Sequence, residues 1–196
     1  MGKINQVPSA ESHAATAFTI GHSTRAVEDF VAMLKGHGVR RLVDVRTVPR
    51  SRTNPQFNKE TLPISLAPHG IGHVHVPELG GLRKPKPDSP NGGWRNLSFR
   101  GYADHMQTEE FARALEKAME WIAHERIAFM CAEAVPWRCH RSLIADALTV
   151  RGIVVHEIAS ATKTQVHKMI SFAKVDGLRV TYPPLQPELI EPGENE

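Results

Sequence analysis

Cysteine is scarce in this chain: Cys131 and Cys139 are the only two among 196 residues. A disulfide-stapled scaffold is thereby excluded, and the expected setting is the reducing cytoplasm. There the pair can still form a redox couple or share a metal. Long apolar runs are missing too, and none approaches the roughly 20 residues of a membrane-crossing helix. The N-terminal Met1-Gly-Lys-Ile-Asn-Gln-Val-Pro8 lacks the apolar core of a signal peptide. Gln6 occupies the place where a myristoylation signal carries a hydroxyl. No membrane partner is expected. Internal repeats are absent, and so are low-complexity tracts away from the ends. Strong charge of one sign is also lacking: the net value is +3 and the isoelectric point is near 9.0. That balance permits a nucleic acid or a phosphate-bearing small molecule as partner without demanding either.

What is present suits one domain with a proper core: hydrophobic residues make up 41% and charged residues 23%. The pattern predicts a flexible N-terminus over 1–16, an α/β domain over 17–175 and an extended proline-rich tail over 176–196. Ala17-Phe-Thr-Ile20 reads as a first strand, with Ser23 or Thr24 capping a helix that carries Val27, Phe30, Val31 and Leu34. Arg41–Val45 and His73–Val76 read as the second and third strands, with a short helix near 59–68 between them. From Pro77 to Arg100 there is no periodicity, but Trp94, Phe99 and Tyr102 mark the long connection as ordered. Thr108–Glu125 is the clearest amphipathic helix. Ile127–Cys131 is the fourth strand, a helix follows over about 139–150, and Ile153–Ile158 is the fifth strand. A weak helix is expected near 164–172. This alternation implies a single-domain α/β fold: a mostly parallel open sheet of about five strands with helices on both faces. Each unusual polar loop follows a strand, so all four should meet at the carboxyl rim, where such sheets bind ligands.

The segment Cys131-Ala-Glu-Ala-Val-Pro-Trp-Arg-Cys-His-Arg141 concentrates reactive groups at a strand-to-helix junction. A helix N-terminus attracts anions, and Arg138 and Arg141 add forked donors. Cys139 at that place should ionise readily, with His140 as proton donor or ligand contact. As a plainer alternative, Cys139 is a packing residue and the arginines pair with acids. Cys131 ends an apolar strand, where unreactive buried cysteines are common. The spacing from Cys131 to Cys139 is not a zinc pattern, so no metal and no cofactor are predicted. Glu133 is a candidate general base, or else a salt-bridge partner. Asp44 is a second acid/base candidate that, if buried, requires an arginine partner. Arg46 and Arg52 beside Arg141 would complete a phosphate cradle together with Ser23, although exposed loop arginines can simply be solvated. His22, Gly80, Gly81 and Trp94 are further pocket candidates. Trp94 either stacks on a base or anchors its loop.

Four motifs are then familiar together: Thr19-Ile-Gly-His-Ser23, Asp44-Val-Arg-Thr-Val-Pro-Arg-Ser-Arg52, Glu78-Leu-Gly-Gly81 and Cys131-Ala-Glu…Cys139-His-Arg141. They resemble the family called domain of unknown function 488, over roughly Phe18 to Ile158. The resemblance implies an α/β domain without an established activity. A weaker, local resemblance links Leu42-Val-Asp-Val-Arg46 and the loop cysteine to rhodanese domains. Pro136 and Trp137 replace the glycine-rich cradle there, and Arg138 lies seven positions after Cys131. Three functions remain open: a pocket for a phosphate-bearing ligand such as a nucleotide or nucleic-acid end, a thiol-dependent enzyme of rhodanese-like type, and a non-catalytic nucleic-acid-binding module.

Overall fold

The computed structural model describes residues 15–184. Its centre is a six-stranded sheet in the order β3-β2-β4-β1-β5-β6. The strands are β1 (Thr16–Gly21), β2 (Arg41–Asp44), β3 (Gly72–His75), β4 (Ile127–Cys131), β5 (Val154–Ile158) and β6 (Thr164–Val166). The first five are parallel and β6 closes one edge antiparallel to β5. The expected α/β class and single mostly parallel sheet are therefore present, with one strand more than expected.

Strand periodicity sorts β4 between two cores. Ile127, Phe129 and Cys131 face α3 (Leu97–His105), α4 (Glu109–His124) and α5 (Arg141–Thr149), contributing to a cluster with Tyr102, Leu115 and Leu143. Ala128 and Met130 face α1 (Val27–Gly36) and α2 (Leu62–Leu66), beside Phe30, Leu34 and Leu62. Cys131 is therefore delivered to the same side of the sheet as the start of α5. A one-residue slip of β4 would turn it to the other face.

The strongest helix is also the best signalled: the Thr108 side chain accepts a hydrogen bond from Phe111 N, capping α4. Elsewhere the local reading needs correction. Neither Ser23 nor Thr24 caps α1; its N-cap is Ala26 without a side-chain bond, and Ser23 adopts φ 50°. Helix α3 begins inside the segment read as loop. Asn96 caps it through Ser98 N, but Gly101 in its middle conceals the helical pattern. A Cβ at Gly101 would lie 2.2 Å from the Arg83 carbonyl oxygen, so the preceding loop crosses α3 only at a glycine.

The weak helix expected near 164–172 is replaced by β6 and a turn. His167 N donates to Val155 O, and its ring bonds Asp146 and Glu157, holding the segment in extended form against β5. The extended tail expected from 176 does not begin there. Residues Lys174–Asp176 (β7) and Arg179–Thr181 (β8) pair as a hairpin, and the Tyr182 ring is wholly buried. Residues 1–14 and 185–196, including most of both expected termini, lie outside the described residues.

Candidate functional site: a dithiol cavity at the carboxyl rim

The parallel arrangement brings the loops after β1, β2, β3 and β4 to one rim, and two adjoining cavities open there. The first, of about 330 Å³, is lined by Val48, Leu82, Phe99, Tyr102, Ala132 and both cysteines, with Arg46, Glu133, Arg138 and His140 also contributing. The second, of about 360 Å³, is polar and is lined by His22, Ser23, Arg46, Arg50, Ser51 and Asn54. The two share Arg46, Val48, Ala132 and Glu133.

In the first cavity, Cys131 Sγ and Cys139 Sγ lie 2.6 Å apart, both as free thiols. A tight 3-10 turn over Pro136–Arg138 folds the chain back, so eight residues of sequence close into one contact. The cysteines are nearly buried, yet both line the cavity. Their environments separate their acidities. The bond from Cys131 pulls the Cys139 thiol well below its ordinary range against the opposing cost of burial. His140 Nδ1, 3.7 Å from Cys139 Sγ, and the Arg141 charge add to that pull. Burial holds Cys131 well above its ordinary range, and its bond to Cys139 adds to this. Either sulfur can donate in the contact between them, and their surroundings bias the pair towards losing its proton from Cys139.

Arg141 supplies the opposite charge. It is only 1% exposed, and its Nε donates to Cys131 Sγ at 2.9 Å while its Nη2 donates to the Glu133 carbonyl oxygen. Among the described residues no carboxylate pairs with it. A buried guanidinium requires a counter-charge, and the cysteine pair is where this structure provides it. His140 packs beside Tyr102, with ring centroids 4.9 Å apart, and its Nε2 is buried without a hydrogen-bond partner. Tyr102 itself donates to Leu79 O.

The arginine of β2 is used differently. Arg46 forms a fork with Asp44, Nε to Oδ1 at 2.8 Å and Nη2 to Oδ2 at 2.6 Å, and Nη2 also reaches Phe57 O. These bonds outweigh burial and hold the Asp44 carboxyl down at about 2. Arg46 Nη1 also donates to His22 Nε2 at 3.2 Å, which leaves the His22 proton on Nδ1, donating to Ser23 O. Burial then keeps His22 neutral, lowered to about 4, with its ring stacked 4.3 Å from Phe57.

The expected site residues divide accordingly. Cys131, Cys139, His140, Arg138, Glu133, Arg46 and Gly81 line the first cavity, and His22 and Ser23 line the second. Asp44 is fully enclosed and its carboxylate is taken up by Arg46. Arg141 lies behind the cysteines, while Arg52 is exposed and lines neither cavity. Gly80 and Gly81 allow close packing: added Cβ atoms would lie 2.6 Å from Thr47 Oγ1 and 3.1 Å from His140 Nδ1. Trp94 stacks on Phe99 and packs edge-on to Phe172, anchoring its loop away from the dithiol. Sequence reading missed the apolar walls made by Val48 and Leu82. Leu82 carried no usable signal, although in the fold it has φ 58° and is 79% exposed.

No helix among the described residues is long and apolar enough to cross a membrane. Comparison with curated proteins and with solved structures finds no match to this chain. The family described as Domain of unknown function DUF488 matches residues 26–148, more than half of the chain, from the start of α1 into the last turn of α5. The chain belongs to that family, which carries no assigned activity.

Proposed function

We propose that this protein is a dithiol enzyme in which Cys139 attacks the substrate as a thiolate and Cys131 serves as the second thiol. The observation that carries this reading is the pair of sulfurs 2.6 Å apart in the wall of an open cavity, with a carboxylate-free buried arginine behind them. The chemistry that fits is exchange with a sulfur–sulfur bond. Cys139 Sγ attacks one sulfur of a substrate disulfide, forming a mixed disulfide and expelling the other half as a thiolate. Cys131 Sγ then attacks Cys139 Sγ, closing the internal disulfide. The second substrate sulfur leaves with the Cys131 proton. The substrate disulfide gains the two electrons that the protein dithiol loses, and an external thiol reverses the change for the next cycle.

A phosphate cradle built from Arg46 and Arg141 is less well supported, because Arg46 is forked onto Asp44 and Arg141 onto Cys131 and Glu133 O. A nucleic-acid module is disfavoured by the same kind of bookkeeping. Along the aperiodic connection that carries Trp94 and Phe99, Arg83 bonds Gly80 O and Pro77 O, Arg100 bonds Trp94 O, and Trp94 lies within an aromatic cluster.

Alkylation by iodoacetamide, followed by mass spectrometry from pH 5 to 10, tests the dithiol reading. One thiol should react already below neutral pH, and Cys139→Ser should abolish that phase. If both thiols of the native protein react only above about pH 8, as free cysteine does, the proposal fails.

A further inference from the structure

The second cavity has no part in the exchange steps, yet it adjoins the first through Arg46, Val48, Ala132 and Glu133. A ligand with its sulfur over Cys139 therefore has a polar chamber next to it. Arg50 lines that chamber as a cation, and Arg46, its charge balanced by Asp44, lines it as a hydrogen-bond donor. Arg46 has five N–H hydrogens, and Asp44, Phe57 O and His22 take four of them, leaving one on Nη1. Arg50 is 74% exposed, and its partner Glu60, at 3.5 Å, is 67% exposed. Such a solvated pair holds its arginine weakly. Ser23, Ser51 and Asn54 add short polar side chains. The one acid in the lining is Glu133, whose Oε1 is occupied by the Val135 N–H at 3.0 Å.

Resting on the dithiol reading, we infer that the substrate is a small anionic disulfide. Its charged group is held by Arg50 in the polar cavity, with the one remaining N–H of the carboxylate-paired Arg46 as a further donor, while its sulfur meets Cys139. The walls of the first cavity, Val48, Leu82 and Phe99, suit an apolar or aromatic body between the two ends.

Two chromogenic disulfides separate charge from reactivity: dithiobis-nitrobenzoate, which is anionic, and dithiodipyridine, which is neutral at pH 7.5. The measurement is the ratio of their rate constants with the Cys139 thiolate in the full chain. Arg50→Ala should lower the anionic-to-neutral ratio about fivefold, and Arg50→Glu should lower it further. Arg52→Ala, a matched charge loss outside both cavities, should leave the ratio unchanged. An unchanged ratio in Arg50→Glu, or an equal fall in Arg52→Ala, overturns the anionic subsite while the dithiol reading stands. A native protein that reacts with neither probe overturns the dithiol reading, and this inference with it.

Discussion

If the Cys139 thiolate is the counter-charge of Arg141, removing it should behave as the breaking of a buried ion pair. Cys139→Ser keeps the size of the side chain but loses the charge. Arg141 is 1% exposed and has no carboxylate partner among the described residues, so little else can compensate it. Breaking such a pair costs about 3 kcal/mol. With a urea dependence of about 2 kcal/mol per molar for a domain of this size, the midpoint should fall by about 1.5 M. Arg141→Met removes the partner charge, so the double variant should recover part of the loss. A coupling of about 2 kcal/mol is expected from the cycle.

The pH dependence gives a sharper criterion. The folded Cys139 pKa is depressed, so its contribution is present above the unfolded thiol value and is lost as pH falls through the folded value. His167 acts in the opposite sense. Its two carboxylate partners raise it from 6.5 to about 9, so its contribution is complete below 6.5 and is lost as pH rises through 9. In the native protein these slopes oppose one another. Subtracting the stability of Cys139→Ser cancels His167 and leaves the titration of the coupled thiol pair. That difference should rise with pH by up to about 1.4 kcal/mol per unit until the unfolded thiol value near 8.5, under reducing conditions. A flat difference curve together with an additive double variant would refute the counter-charge argument.

Three further outcomes follow from named contacts. His167→Gln should cost about 3 kcal/mol near pH 6, falling towards the loss of ordinary hydrogen bonds above pH 9, as read by urea unfolding at the two pH values. Tyr182→Phe removes the hydroxyl that donates to Asp146 at 2.8 Å, and should lower stability by about 2 kcal/mol in calorimetry without altering alkylation of Cys139. Gly21→Ala would place a Cβ 1.9 Å from the Glu133 carbonyl oxygen, which Arg141 also binds. This variant should both destabilise the fold and slow Cys139 alkylation at pH 7, so normal reactivity in a destabilised variant would disconnect the loop from the thiolate.

How far the sequence alone could lead is shown by particular elements. Strands β2 and β4 and helix α4 are legible because each carries its own local signal: apolar runs for the strands, a capped amphipathic face for the helix. Helix α3 is not, because Gly101 is set by a crossing loop whose position no local rule gives. Strand β6 fails for a related reason. Its extended form is held by Asp146 and Glu157, 21 and 10 residues away from His167 in sequence. The rim of post-strand loops was readable from alternation alone. The polar and apolar division of its two cavities was not, since Val48 and Leu82 look like ordinary loop residues.

The arginines show why the site was harder to read than the fold. Arg46 and Arg141 look equivalent in sequence, as basic residues in or just after a post-strand loop, and both could serve a phosphate. Their exposure is similar, at 6% and 1%. What separates them is the partner. Arg46 has a carboxylate two residues earlier, at a spacing that lets a single guanidinium fork onto it, so its charge is neutralised within its own loop. Arg141 has Cys139 two residues earlier and bonds Cys131, ten residues earlier, and a thiol balances a guanidinium only by giving up a proton. The folding of Arg141 beneath the Cys131–Cys139 contact therefore favours ionisation of the pair. The same contact that removes this arginine from the anion cradle would, under the proposed dithiol chemistry, prepare the nucleophile.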